Sequence, residues 1–179
     1  MTANHSLSKG FQIEDPDVLV AWGSPVAEVL RAFVTKGAGE PRQVTQLYYT
    51  ARCMILGGLW CEVGFHFEAK GSSSSLKKIE LFGNGERDIE TSYRVFQDRL
   101  LKHFGSPTIE KPGTLGVSMP DRRWHVGSVV ILHYVIDRFG PEEHLSIERQ
   151  SAFSVGPKGV IAIVVSLAIL TLLSWLGLR

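Results

Sequence analysis

The sequence has few cysteines and methionines: two and three among 179 residues. Two cysteines cannot build a disulfide framework, so a folded core has to hold the molecule together. Charge of one sign is also missing. Lys and Arg number 19 against 18 for Asp and Glu, and the basic residues form no block. That excludes the electrostatic footprint of a nucleic-acid binder and strong attraction to anionic lipid. No G-x-x-x-x-G-K-[ST], H-E-x-x-H or G-x-S-x-G occurs, so the common phosphate-loop, metalloprotease and serine-hydrolase patterns are absent. FGNG (82–85) reads as a turn, because no lysine follows it as a phosphate loop would need. The histidines His66, His125, His133 and His144 fall in separate strand regions, with no metal-ligand spacing. Neither a metal nor a cofactor is expected. The opening residues MTANHSLSKGFQIEDPDV lack the apolar stretch of a signal peptide.

What the sequence does have is one long apolar run, VIAIVVSLAILTLLSWLGL, at 160–178. As a helix it would cover about 28 Å, close to the roughly 30 Å hydrocarbon core of a bilayer. It has no charge and no polar stripe at helical spacing. The expectation is a C-terminal transmembrane helix. Val160, Ile161, Leu167, Leu170 and Leu173 would face lipid, and Trp175 would sit in the interfacial belt. With nothing apolar before it, the rest of the chain is expected in the cytoplasm, in a tail-anchored, single-pass arrangement.

The expected organisation is a flexible arm (1–10), a soluble α+β domain (11–150), a Gly- and Pro-containing linker (151–159) and the membrane helix (160–178). Within the domain, WGSPVAEVLRAFVTKG reads as a helix capped by Ser24, with Pro25 at its first position and Gly37 at its end. ARCMILGGLWCEVGFHF reads as a hairpin around Gly57-Gly58, and LKKIELF as a strand. A second helix follows at 86–107, capped at Asp88 and stopped at Gly105. Then come a hairpin around Gly127-Ser128 and a last strand, HLSIERQ. A short strand between Gln12 and Val20 opens the chain. Helix, hairpin and strand thus occur twice. The simplest arrangement is an antiparallel sheet with two helices on one face, a pseudo-repeat.

A two-residue turn at Gly57-Gly58 pairs Ile55 with Trp60, Met54 with Cys61, Cys53 with Glu62 and Tyr49 with His66. In this register the cysteines point to opposite faces and form no disulfide, which agrees with a reducing compartment. The outward patch would then hold Trp60, Tyr49, Glu62, His66 and Glu68. Aromatics mixed with acids suit a contact surface for another protein. The leading functional reading is a non-enzymatic interaction module held at a membrane, with lipid and one protein as its partners. Beside it stand a bacterial immunity or inhibitor protein at the inner membrane, and a cysteine enzyme working through Cys53, His66 and Glu62 on a membrane-bound substrate. His133, within VVILHYVID, is expected to be a core histidine with one hydrogen-bond partner. RFGPEEH (138–144) is expected to be a charged loop.

Overall fold

The computed structural model describes residues 7–71, 73–83, 88–113, 118–137 and 141–150. The chain up to Arg149 forms one compact unit. It contains strands β1 (Gly10–Ile13) and β2 (Val18–Ala21), helix α1 (Val26–Thr35), and strands β3 (Arg42–Thr45), β4 (Tyr48–Ile55), β5 (Leu59–Lys70) and β6 (Ser73–Phe82). Helix α2 (Ile89–Phe104) follows, then β7 (Ile109–Lys111), β8 (Asp121–Val126), β9 (Val129–Asp137) and β10 (Pro141–Arg149).

The fold is dominated by sheet. Eight strands form one sheet in the order β3-β4-β5-β6-β10-β9-β8-β7, and β1-β2 form a separate two-stranded sheet. All the pairings are antiparallel. Each half contributes one helix and then a meander of four strands, and the halves join where their last strands, β6 and β10, pair.

This corrects the expected architecture. The single opening strand is a hairpin with its own sheet, and the exposed edge strands β3 and β7 complete a much larger main sheet. Both edge strands are three or four residues long and fully exposed, so they carry no apolar alternation to announce them. The transmembrane part is corrected as well. Among the described residues no helix is long and apolar enough to cross a membrane. The helices have 10 and 16 residues, and the run 160–178 with its six named anchor residues lies outside the described residues. The tail-anchored, single-pass reading is therefore not carried forward.

Helix α1 buries Val29 and Phe33. Its cap is Pro25, with no side-chain hydrogen bond, so Ser24 does not play the expected role. Instead the Ser24 carbonyl accepts from the Leu76 amide at 2.8 Å, tying the helix entry to β6. Helix α2 starts as its sequence suggests: the Asp88 carboxylate accepts from the Thr91 amide at 3.0 Å. That bond holds the Asp88 carboxyl below its usual range. Tyr93, Phe96, Gln97 and Leu100 are buried at helical spacing, and Gly105 at φ 75° closes the last turn.

The inward side of the sheet carries Cys53, Ile55, Cys61, Val63, Phe65, Ile79, Leu81, Trp124, Ile131, Leu145 and Ile147, all at most 2% exposed. Both helices pack here. Phe33 meets Phe65 edge to face, with ring centroids 5.6 Å apart, and Phe96 meets His133 at 6.0 Å.

Candidate functional site

The β4–β5 hairpin decides which side chains reach the face turned away from the two helices, and its register differs from the expected one by a single residue. Cys53 pairs with Cys61, Met54 with Trp60, Arg52 with Glu62 and Tyr48 with His66. Three residues, Leu56, Gly57 and Gly58, make the turn, all at positive φ. Leu56, at φ 47°, occupies a conformation that a leucine rarely adopts. Two distant side chains hold it there. The Glu14 carboxylate accepts from the Gly57 amide at 2.6 Å and the Gly58 amide at 2.8 Å, and Arg99 donates to the Gly57 carbonyl.

A slip of one residue moves every side chain of one strand to the other face. Trp60, Glu62, His66 and Glu68 remain on the outward side. Tyr49 pairs with Phe65, is 9% exposed and packs edge to face on Phe67, so it belongs to the core. Its neighbour Tyr48 takes the outward place. Cys53 also moves inward. The two thiols are free, buried and opposite one another. Burial, with lesser contributions from neighbouring negative charge, pushes both up to about 12. A buried, protonated Cys53 on the face opposite to Glu62 and His66 removes the cysteine-enzyme reading.

The outward face is ordered by register into rows that cross the sheet. One row runs Arg52, Glu62, Phe82 across β4 to β6, then reaches His144 and Tyr134 on β10 and β9. The next runs Thr50, Gly64, Glu80, Ser146, Leu132, Arg123, Ile109 from β4 to β7. A third holds Tyr48, His66, Lys78, Glu148, Val130 and His125. Trp60 stands at one corner, 44% exposed, beside Met54.

These side chains hold one another in place. Tyr48 stacks on His66 with centroids 4.2 Å apart. His66 Nε2 lies 2.6 Å from Glu80 Oε2, and Lys78 Nζ lies 2.6 Å from Glu80 Oε1. The hydrogen bond from His66, aided by Lys78, brings the Glu80 carboxyl down to about 2 despite its partial burial. Partial burial and then the nearby carboxylates of Glu80 and Glu62 raise the Tyr48 phenol. On the other half Tyr134 stacks on His144 at 5.1 Å. On this outward face a tyrosine stacked on a histidine thus occurs once in each half of the pseudo-repeat. Neither stack is legible in the sequence, because each depends on strand pairing.

Gly64 is part of the same construction. A Cβ there would lie 2.8 Å from both Cε2 and Oη of Tyr48 and 3.2 Å from Phe82. Gly64→Ala is therefore expected to push Tyr48 off His66. The change should cost about 1–2 kcal/mol of stability, as mild overpacking does, and shift the His66 ring resonances in an NMR spectrum. Unmoved His66 resonances would contradict the stack.

A second polar cluster lies on the inward side under α2. His133, fully buried, lies between Gln97 and Glu143. Glu143 Oε1 is 2.7 Å from His133 Nε2, while its Oε2 accepts from Ser92. Arg122 donates to Gln97 Oε1 at 2.6 Å and to Glu110 at 2.8 Å. Tyr93 stacks on the His133 ring at 4.3 Å. His133 thus has two partners where one was expected, and Glu143, assigned by sequence to a charged loop, is a strand residue of this network. The carboxylate sits between the serine and the histidine. A nucleophilic serine would need the histidine beside it, so the order is wrong for acyl transfer.

No family model matches the chain, and no curated protein sequence matches it. Among solved structures, the chain is similar to the crystal structure of a DUF4309 family protein, YjgB, from Bacillus subtilis subsp. subtilis str. 168. The identity is 16%, the TM-score 0.49, and the match covers 83% of this chain and 94% of that one.

Proposed function

We propose that the outward face of the eight-stranded sheet is a recognition surface for another protein. The observation that carries this reading is a broad sheet face, left uncovered by the other described residues of this unit, whose aromatic and charged side chains are already ordered. Tyr48, His66, Glu80 and Lys78 hold each other, so fewer rotamers are lost on binding. Eight strands at about 4.8 Å spacing, with about four outward residues on each long strand, give a face of about 700 Å². One partner of a standard protein interface buries about 800 Å². Trp60, Tyr48, Phe82 and Tyr134 supply the large aromatics enriched in such interfaces, and Arg52 and Arg123 the guanidinium groups.

The test places a photo-crosslinking amino acid on each side of the sheet in turn. At Arg52 or Ser146, on the face, the reactive group is expected to trap one specific protein. At Arg94 or Asp98, on α2, it is expected to trap none. Trp60→Ala should weaken the specific cross-link at least about tenfold, the effect of losing an interface anchor. Equal trapping from both sides, or a cross-link only to a second copy of the chain, would remove the reading.

A further inference from the structure

The β7–β8–β9 end of the same face holds a cavity of about 260 Å³, lined by Ile109, Lys111, Asp121, Arg122, Arg123, Leu132 and Tyr134. Drug-sized sites run about 300–1,000 Å³, so this cavity is on the scale of one amino-acid residue. Two adjacent rows of the sheet build it. Ile109, Arg123 and Leu132 are register partners, and Lys111 pairs with Asp121. Arg122 is committed elsewhere, to Glu110 and Gln97. The lining therefore offers an apolar floor of Ile109, Leu132 and Tyr134, two cationic groups from Lys111 and Arg123, and one carboxylate.

That carboxylate is the second, independent observation. Among the described residues, Asp121 Oδ1 is buried and has no hydrogen-bond partner. A buried acceptor without a donor is costly, and a ligand that supplies an N–H relieves the cost. The complementary ligand carries a carboxylate for Arg123 and Lys111, an N–H for Asp121 and an apolar body for the floor, all within one residue. The C-terminal residue of a polypeptide has these three features: its α-carboxylate, its backbone N–H and an apolar side chain.

We infer that this cavity takes the C-terminal residue of the partner protein, with an apolar last side chain. The inference rests on the face being a recognition surface, and it names the end of the partner that anchors there. The probe is N-acetyl-L-phenylalanine, titrated into the full chain and followed by NMR at the Ile109 and Leu132 methyl groups. A dissociation constant of about 1 mM is expected, in keeping with a ligand of about fifteen heavy atoms. N-acetyl-L-phenylalaninamide, without the carboxylate, should bind about tenfold more weakly; Arg123→Gln should reduce that difference, and Arg123→Gln with Lys111→Gln should abolish it. 3-Phenylpropionate, without the N–H, should also bind more weakly, and Asp121→Ala should abolish that second difference. Arg123 is exposed, so its variant keeps the fold. Absence of saturable shifts at these methyls, or equal affinity for acid and amide, overturns the proposal. Arg94→Ala, on the exposed side of α2, should leave probe binding unchanged. Probe binding without a specific cross-link would remove the partner reading and with it the assigned source, while a specific cross-link without probe binding would remove the cavity proposal alone.

Discussion

Phe65→Ala is expected to lose about 3–5 kcal/mol of folding stability. Phe65 sits on β5, fully buried, and its ring takes the edge of Phe33 from α1. Its strand pairs on both sides, with β4 through Tyr49 and with β6 through Ile79. Removing the ring opens a cavity that no neighbour can easily fill, because Val63 and Phe67 on the same side are themselves buried against the core. Rigid strands on both flanks keep the backbone from collapsing into the space. Domains of this size hold about 5–15 kcal/mol in total, so the variant should be near its unfolding threshold at 37 °C. Urea melts of wild type and Phe65→Ala measure the difference. A loss below about 1 kcal/mol would mean that α1 is not docked on this part of the sheet. Trp60→Ala, at the exposed end of the same strand, is the control and should change stability little.

The contrast between these two positions shows what local pattern conveys. Alternation along β5 separates Phe65, Val63 and Cys61 from Trp60, Glu62 and His66 without any knowledge of the fold. The start of α2 at Asp88 and its stop at Gly105 were equally legible, since cap and terminator lie within the helix's own sequence. The register of β4 was not. Gly57-Gly58 suggests a two-residue turn, but the turn that forms includes Leu56 and depends on Glu14, 43 residues away, and on Arg99. No local propensity carries that information. The one-residue difference exchanged Tyr48 for Tyr49 on the outward face and turned Cys53 inward, so the candidate patch kept the β5 residues and lost its β4 member. The short edge strands and the inner network of Ser92, Gln97, Arg122 and Glu143 escaped notice for a related reason. Each residue is unremarkable along the chain and gains its role only through a partner brought to it by the sheet.

That inner network sets the second large effect, a loss of stability in mild acid. Arg122 can only donate, so it fixes the Gln97 oxygen toward itself and the Gln97 amide toward His133 Nδ1. Nδ1 must then accept, which leaves the proton on Nε2, facing Glu143. The network is complete with a neutral ring. A second proton on His133 would set donor against donor at Gln97, and turning the amide over would only move the conflict to Arg122. Burial, opposed by Glu143 and aided by Arg122, lowers the His133 pKa below its usual value. A lowered histidine pKa in the folded state means that the unfolded chain takes up the proton first. Stability is therefore full above about pH 6.5 and falls below it, at up to about 1.4 kcal/mol per pH unit for the one proton. Glu80 acts lower. Its pKa of about 2 gives stability that is present above the usual carboxylate range and is lost as pH falls toward about 2. His133→Gln separates the two. Glutamine can accept from Gln97 and donate to Glu143 but does not titrate, so the variant should lose about 1–2 kcal/mol at pH 7.5. As pH falls below about 6.5 its stability should fall less steeply than that of wild type. Chemical melts across this range decide the matter: equal slopes throughout would show that His133 carries no part of the acid sensitivity, and that the hydrogen-bond order assigned to Arg122, Gln97 and His133 is wrong.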